Sequence, residues 1–271
     1  MKKIFALVLA LLCVMTCFVA CNKNDDAKKN AETTTAATTT AATTEAEKPV
    51  LKMATNAYFQ PYEFYKDGKI VGIDAEIAAA IADKLGYELE IVDMEFDSII
   101  TAVKEGSVDF GMAGMTVTPE RLLEIDFSSS YATGVQAIIV PEGSSITSVD
   151  DLYADGANYK VGVQRGTTGD IYATDDFGAD NVTTYDNANG AVLALLGGDV
   201  DCVIIDNEPA KALVAANEGL AILDTSYADE DYAICIKKGN DALLDKINEA
   251  IVELTADGTI DKIVAKYIPA N

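Results

Sequence analysis

Two stretches of the chain read alike, and together they limit the fold more than any other feature. Ala102-Val-Lys-Glu-Gly-Ser-Val-Asp-Phe-Gly-Met-Ala-Gly114 aligns without gaps on Ala194-Leu-Leu-Gly-Gly-Asp-Val-Asp-Cys-Val-Ile-Ile-Asp206. Each is a helix end, a glycine stop, a Val-Asp pair and an apolar strand. The match is short, and chance convergence on common helix–strand chemistry stays open. Read as a repeat, it sets Gly114 and Asp206 at equivalent strand ends in two similar lobes facing each other across a cleft. The surrounding pattern agrees. Strands are predicted over Leu51–Thr55, Tyr87–Val92 and Val108–Met112, and Asp67-Gly68 marks a hairpin between Glu63–Tyr65 and Ile70–Val71. Helices are predicted from Asp74 as cap, with Ile77, Ile81 and Leu85 four residues apart and a stop at Gly86, and over Phe96–Val103. The alternation restarts with strands at Val135–Val140, Lys160–Val163, Val182–Tyr185, Cys202–Ile205 and Tyr232–Lys237. Helices are predicted to open at Gly166-Thr-Thr-Gly169 and to run over Ala188–Leu196, Pro209–Ala216, Asp241–Ala256 and Thr259–Tyr267. Such alternation implies an α/β fold of mostly parallel sheets flanked by helices.

The segment Val108–Arg121 carries the densest chemistry. It breaks at Gly111 and Gly114, where the backbone is free to let another group approach, then turns through Thr116, Thr118 and Pro119 into a helix. A glycine, hydroxyls and a guanidinium thus gather past a strand's carboxyl end, where open α/β sheets bind small ligands. Arg121 is suited to hold a carboxylate by two parallel charge-assisted hydrogen bonds, and a surface arginine on a capped helix is the competing reading.

The first residues look like an export address. Lys2 and Lys3 precede an apolar run from Ile4 to about Val19, the pattern of a secretory signal over 1–20. The run ends in Phe18-Val19-Ala20-Cys21, which resembles a bacterial lipobox whose cysteine is lipidated; Cys17 and Cys13 fit less well, and a plain cleaved signal is the alternative. Residues 21–48, rich in threonine and alanine, cannot bury a core and read as a flexible tether. The folded part starts near Pro49, with one lobe expected from 49–137 and 236–271 and the other from 138–235.

Composition excludes several functions. A formal net charge of −24, with no basic patch, argues against nucleic acid as partner. With no histidine at all, serine–histidine triads and histidine metal sites are excluded, and no cofactor is expected. Cys202 and Cys235 lie in apolar strand-like runs; two buried free thiols are the simpler reading, a disulfide the other.

The motifs Pro61-Tyr-Glu-Phe, Gly68-Lys-Ile-Val-Gly-Ile-Asp74, Ala113–Arg121, Ile125-Asp-Phe-Ser128, Val163-Gln-Arg-Gly-Thr-Thr168, Asp206-Asn-Glu-Pro209 and Ala256-Asp-Gly258 occur in this order. The folded part thereby resembles the extracellular solute-binding proteins of ABC importers for polar amino acids. The resemblance implies a two-lobed, type II periplasmic-binding-protein-like fold with two hinge crossover strands, no enzymatic activity, and a lipid-anchored monomer on the extracytoplasmic face. Its implied partners are a free amino acid and a permease with its cytoplasmic ATPase. It also implies roles. Arg121 would clamp the ligand's α-carboxylate with backbone N–H groups near Thr116 and Thr168. Asp206 would take the α-ammonium beside the Gly114 carbonyl and the Thr116 hydroxyl, and Phe59 and Phe96 would sandwich the ligand's body. Singly, Phe96 also reads as a core residue, Thr168 as a helix cap and Asp206 as a solvated acid. Asn56 and Gln164, neutral amides where some relatives carry charged groups, suggest a polar uncharged ligand such as glutamine or cystine, with Tyr58 as a further contact. Closure is expected about a hinge near Gln136–Val140 and Ala233–Lys237. Two alternatives remain: a cyclohexadienyl or arogenate dehydratase on the same architecture, and a sensing or adhesive surface lipoprotein.

Overall fold

In the computed structural model, residues 48–269 are described; the expected signal, the tether and Cys21 lie outside them. The first lobe opens with β1 (Val50–Thr55), whose alternate residues Leu51, Met53 and Thr55 are buried. A three-stranded flap follows, made of β2 (Tyr58–Phe59), β3 (Glu63–Lys66) and β4 (Lys69–Val71). Its turn sits at Asp67 and Gly68, both at positive φ, as the Asp-Gly pair predicts. Next come α1 (Ile73–Leu85), β5 (Glu88–Asp93), α2 (Ile99–Glu105), β6 (Phe110–Gly111), α3 (Pro119–Glu124) and β7 (Ile125–Phe127). On α1, Ile73, Ile77 and Ile81 are fully buried, and the helix packs on two late helices, α7 (Asp241–Ala256) and α8 (Thr259–Tyr267).

The second lobe begins with the long β8 (Ala132–Pro141) and continues through β9 (Val161–Gln164), α4 (Thr168–Phe177), β10 (Val182–Tyr185), α5 (Ala188–Gly197), β11 (Cys202–Asp206), α6 (Asn207–Ala216), β12 (Leu220–Ile222) and β13 (Ala228–Tyr232). The chain then returns to the first sheet as β14 (Cys235–Lys237). The first sheet runs β5-β1-β6-β14-β7 and the second β10-β9-β11-β8-β12, with β13 also on β8. Both are mixed. The βα repeats supply parallel pairs, while β14 and β8 run antiparallel to their neighbours because they are the strands that arrive from the other lobe. Among the described residues, no helix is long and apolar enough to cross a membrane.

The repeat seen in the sequence is repeated in the hydrogen bonds. Gly106 and Gly198 close α2 and α5 at the same φ of 77°. Asp109 then accepts the Lys52 N–H at 2.7 Å, and Asp201 accepts the Lys160 N–H at 2.7 Å. Each aspartate pins its strand to the parallel neighbour, so Gly114 and Asp206 emerge at corresponding places.

Three expectations are corrected. Asp74 does not cap α1; Gly72 does, and Asp74 sits fully buried in the first turn with its carboxylate turned inward. Tyr232–Lys237 is not one strand but the end of β13, a crossing and β14. The chain crosses between sheets at 128–131 and 233–234, where Ser128 N–H donates to Ile234 O and Tyr131 N–H to Tyr232 O. Gln136–Val140, expected at the hinge, instead lies within β8, as does the expected lobe boundary after Ala137. A long apolar run gives no sign in sequence of the point where it changes sheets. Cys202 and Cys235 are free and buried, one in each sheet.

Candidate functional site

Between the lobes lies a narrow cavity lined by Asn56, Phe59, Phe96, Gly114, Thr116, Arg121, Gln164, Thr168 and Asp206, all nine expected from the sequence. Glu63, Ala113 and Thr167 complete its wall.

Arg121 reaches the cavity because α3 starts where it does. Pro119 occupies the first helical position, and the Thr118 hydroxyl oxygen accepts the Arg121 N–H at 3.2 Å as cap. The guanidinium is buried. Nη1 donates to Thr116 O at 2.7 Å and Nη2 to Gly166 O of the other lobe at 3.0 Å. Its carbon stands 5.4 Å from the centre of the Phe96 ring. Burial lowers its pKa, against the pull of Glu230 and, further off, Asp206. Among the described residues, no carboxylate forms a salt bridge with it. A buried cation without a counterion is costly, and its remaining N–H groups are the natural seat of an incoming anion.

Opposite Arg121 stands the N-terminus of α4. Thr167, not Thr168, is its cap: the Thr167 hydroxyl accepts the Asp170 N–H at 3.2 Å and donates to Gln164 O at 2.8 Å. Thr168 is the first helical residue and is buried, at the positive end of the helix dipole.

Asp206, at the C-terminal end of β11, is buried. Its Oδ2 accepts from Gln136 Nε2 at 2.8 Å and its Oδ1 from the Tyr232 hydroxyl. Burial first, then the neighbouring Glu230, holds its carboxyl well above the usual carboxylate range. The amides expected to read the ligand side chain bond to each other instead: Gln164 Nε2 donates to Asn56 Oδ1 at 2.9 Å across the cleft. Asn56 Nδ2 donates to Met94 O at 2.8 Å. Gly114 has a φ of 52°, and a Cβ there would meet Phe59 Cε1 at 2.6 Å, so glycine lets that ring close against the strand end. Phe96 is half-buried rather than part of a closed core, and Tyr58 is exposed and off the cavity wall.

The residue that sequence reasoning missed is Glu63. It is fully buried in β3; no N–H or O–H donor reaches its carboxyl among the described residues, and its hydrogen-bond contact is with the Asp74 carboxyl. Burial, then the charge of Asp74, pushes its pKa well above the usual range. Asp74 is itself raised to about 6 by burial, while hydrogen bonds from the Gly114 N–H at 2.8 Å, from the Tyr131 hydroxyl at 2.7 Å and with the Glu63 carboxyl hold it down. Glu63 was visible within Pro61-Tyr-Glu-Phe, but the β3 pattern of a buried first residue followed by half-buried Phe64 and exposed Tyr65 and Lys66 gives no periodic sign that it points inward.

Comparison with known proteins is consistent with this geometry. The family described as "Bacterial extracellular solute-binding proteins, family 3" matches residues 51–270. The arginine-binding extracellular protein ArtP of Bacillus subtilis is 31% identical over 98% of this chain and 98% of its own length. The ABC transporter glutamine-binding protein GlnH of the same organism is 32% identical over 99% of this chain and 98% of its own. The solved structure of an ancestral arginine-binding protein bound to glutamine is 40% identical, covers 82% of this chain and 99% of its own, and superposes with a TM-score of 0.77.

Proposed function

The chain belongs to the bacterial extracellular solute-binding proteins of family 3, and we propose that its ligand is an L-amino acid whose long side chain ends in N–H donors, L-arginine first and L-glutamine second. The protein is an extracytoplasmic amino acid-binding component of an ABC importer, not an enzyme. The observation that carries the ligand class is Glu63, a buried carboxyl on the cavity wall that no N–H or O–H donor reaches among the described residues and whose one protein contact is a second acid, Asp74. An acceptor so placed costs free energy until donors reach it. An ionised Glu63 suits a guanidinium; a protonated one suits a side-chain amide, giving one hydrogen bond and taking another. Asn56 and Gln164, already bonded to each other, offer less selection than the sequence suggested. The remaining roles follow the chemistry: Arg121 with the α4 N-terminus for the α-carboxylate, Asp206 for the α-ammonium, and Phe59 and Phe96 for the aliphatic stem. That arginine-binding and glutamine-binding proteins stand among its relatives supports the same range.

Titration calorimetry against arginine, glutamine, cystine, lysine and histidine tests this. Arginine is expected to bind tightest. Glu63→Gln is expected to weaken arginine at least tenfold, the loss of one hydrogen bond to a charged group, and to leave glutamine within a few-fold. Tightest binding of cystine, or an unchanged arginine affinity in Glu63→Gln, would overturn the assignment.

We further read the protein as a monomer whose lobes close on the ligand and dock on a permease, anchored by lipid on Cys21. Metabolic labelling with a lipid analogue, lost in Cys21→Ala, checks the anchor.

A further inference from the structure

Asp206 shares its environment with a second acid. Gln136 Nε2 donates to Asp206 Oδ2 at 2.8 Å and to Glu230 Oε2 at 2.9 Å, and all three side chains are buried. The strands enforce this. Gln136 lies directly across from Asp206 on β11, and Glu230 comes from β13 on the other side of β8. With both oxygens on one nitrogen, the carboxyls fall within the roughly 4–6 Å over which like charges disfavour each other's ionisation. The opposite faces offer little relief. Tyr232 gives its hydroxyl to Asp206; Arg121 comes from α3, Tyr172 from α4, Glu208 from α6, and Tyr62 and Glu63 from the flap. Of these only Arg121 is cationic, and its hydrogen bonds go to the carbonyls of Thr116 and Gly166. Glu230 Oε1 has no partner among the described residues.

We propose that Glu230 is a positioning residue: with Asp206 it holds one shared proton before ligand arrives, and capture of the ligand's α-ammonium expels that proton to solvent. Burial and mutual repulsion support the shared proton. In the step, the carboxyl O–H bond breaks and its proton passes to a buffer base. The ligand's ammonium stays intact and donates to the freed carboxylate. A cation enters as a proton leaves, so the charge of the buried site is unchanged, and no redox partner is needed. Affinity should then rise with pH wherever the pair still holds its proton. The inference rests on Asp206 as the ammonium site.

The test is calorimetry of L-glutamine and L-arginine at pH 7 in phosphate and in Tris, buffers that differ in ionisation enthalpy. Glutamine, with its neutral side chain, should release about one proton per molecule bound. Glu230→Gln, which removes the second acid and leaves Asp206 raised by burial alone, should still bind glutamine but release measurably fewer protons than wild type. If that variant fails to fold, the wild-type pH profile decides: log Kd for glutamine should fall by up to about one unit per pH unit between about pH 6 and 8, and a flat profile refutes the shared proton. Binding with no buffer-dependent heat would overturn the inference while leaving the ligand assignment intact. Proton release unchanged in Glu230→Gln would overturn the role of Glu230. Absence of heat from both amino acids would remove the ammonium role of Asp206 and the inference with it.

Discussion

Replacing Arg121 separates its two jobs, carrying charge and presenting a fork. Guanidinium has five N–H donors. Two are spent on Thr116 O and Gly166 O, which leaves three, enough for two parallel bonds to a carboxylate. A lysine holding the same two carbonyls has one donor left. Arg121→Lys therefore keeps the charge and loses one charge-assisted bond, about 1.5–3 kcal/mol, or a Kd weaker by about 10- to 150-fold. Arg121→Met removes the charge as well and strands the ligand carboxylate in a desolvated cleft, about 2–5 kcal/mol and about 30- to 5,000-fold. Calorimetry with arginine and glutamine gives both values, with urea unfolding of the ligand-free protein as control. Arg121→Met also leaves the Thr116 and Gly166 carbonyls without their donor, so a fall in ligand-free stability is expected, and the urea control separates it from the loss of affinity. Near-native affinity in a folded Arg121→Met protein would refute the carboxylate role. Equal losses in Lys and Met would refute the fork argument.

Two more outcomes follow from the buried acids and the close packing around them. Asp74, Glu63 and Asp206 all have folded-state pKa values above their ordinary ones, so between about pH 4 and 6 the native state binds more protons than the unfolded chain and stability falls as pH rises. The ligand-free protein should accordingly show a higher urea midpoint at pH 5 than at pH 7.5, and a lower one at pH 5 would contradict the assignment. Gly134→Ala should abolish ligand binding, since its Cβ would stand 2.0 Å from the Tyr232 hydroxyl and 2.8 Å from Asp206 Oδ1; calorimetry showing wild-type affinity would mean that Asp206 need not keep this orientation.

What was legible in the sequence is what local chemistry dictates. Gly106 and Gly198 announce helix ends, Asp67-Gly68 announces a hairpin, and the Val-Asp pairs announce strands pinned to parallel neighbours, so the two-lobed fold and the cavity-lining residues at strand ends could be read directly. Features set by long-range approach were not. Asp74 looks like a cap because aspartate before an apolar helix usually is one, yet Tyr131 and Gly114 draw its carboxylate inward. Nothing local says that Asn56 and Gln164, both on the cavity wall, lie opposite each other across the cleft. Glu63 and Glu230 were lost among the many other acids, since burial, not residue type, sets them apart.

That burial also indicates how the site works. Glu63, Asp74, Asp206 and Glu230 are all buried, and so is the cation Arg121, on which Glu230 and Asp206 act, where an apolar core would be more stable. Evolution toward stability alone would remove them. Arg121 and Glu63 from the first lobe and Asp206 from the second line the cleft cavity, whereas Asp74 and Glu230 are not among its lining residues. If Arg121 takes the carboxylate and Asp206 the ammonium, as proposed above, a single zwitterionic amino acid relieves the unpaired cation and the crowded acids together. Affinity is then drawn from costs already present in the ligand-free fold, and the two should move in opposition. Glu63→Gln removes one such cost. It should therefore keep or raise the stability of the free protein while lowering its affinity for arginine. Loss of both at once would show that Glu63 holds the lobe together rather than waiting for a ligand.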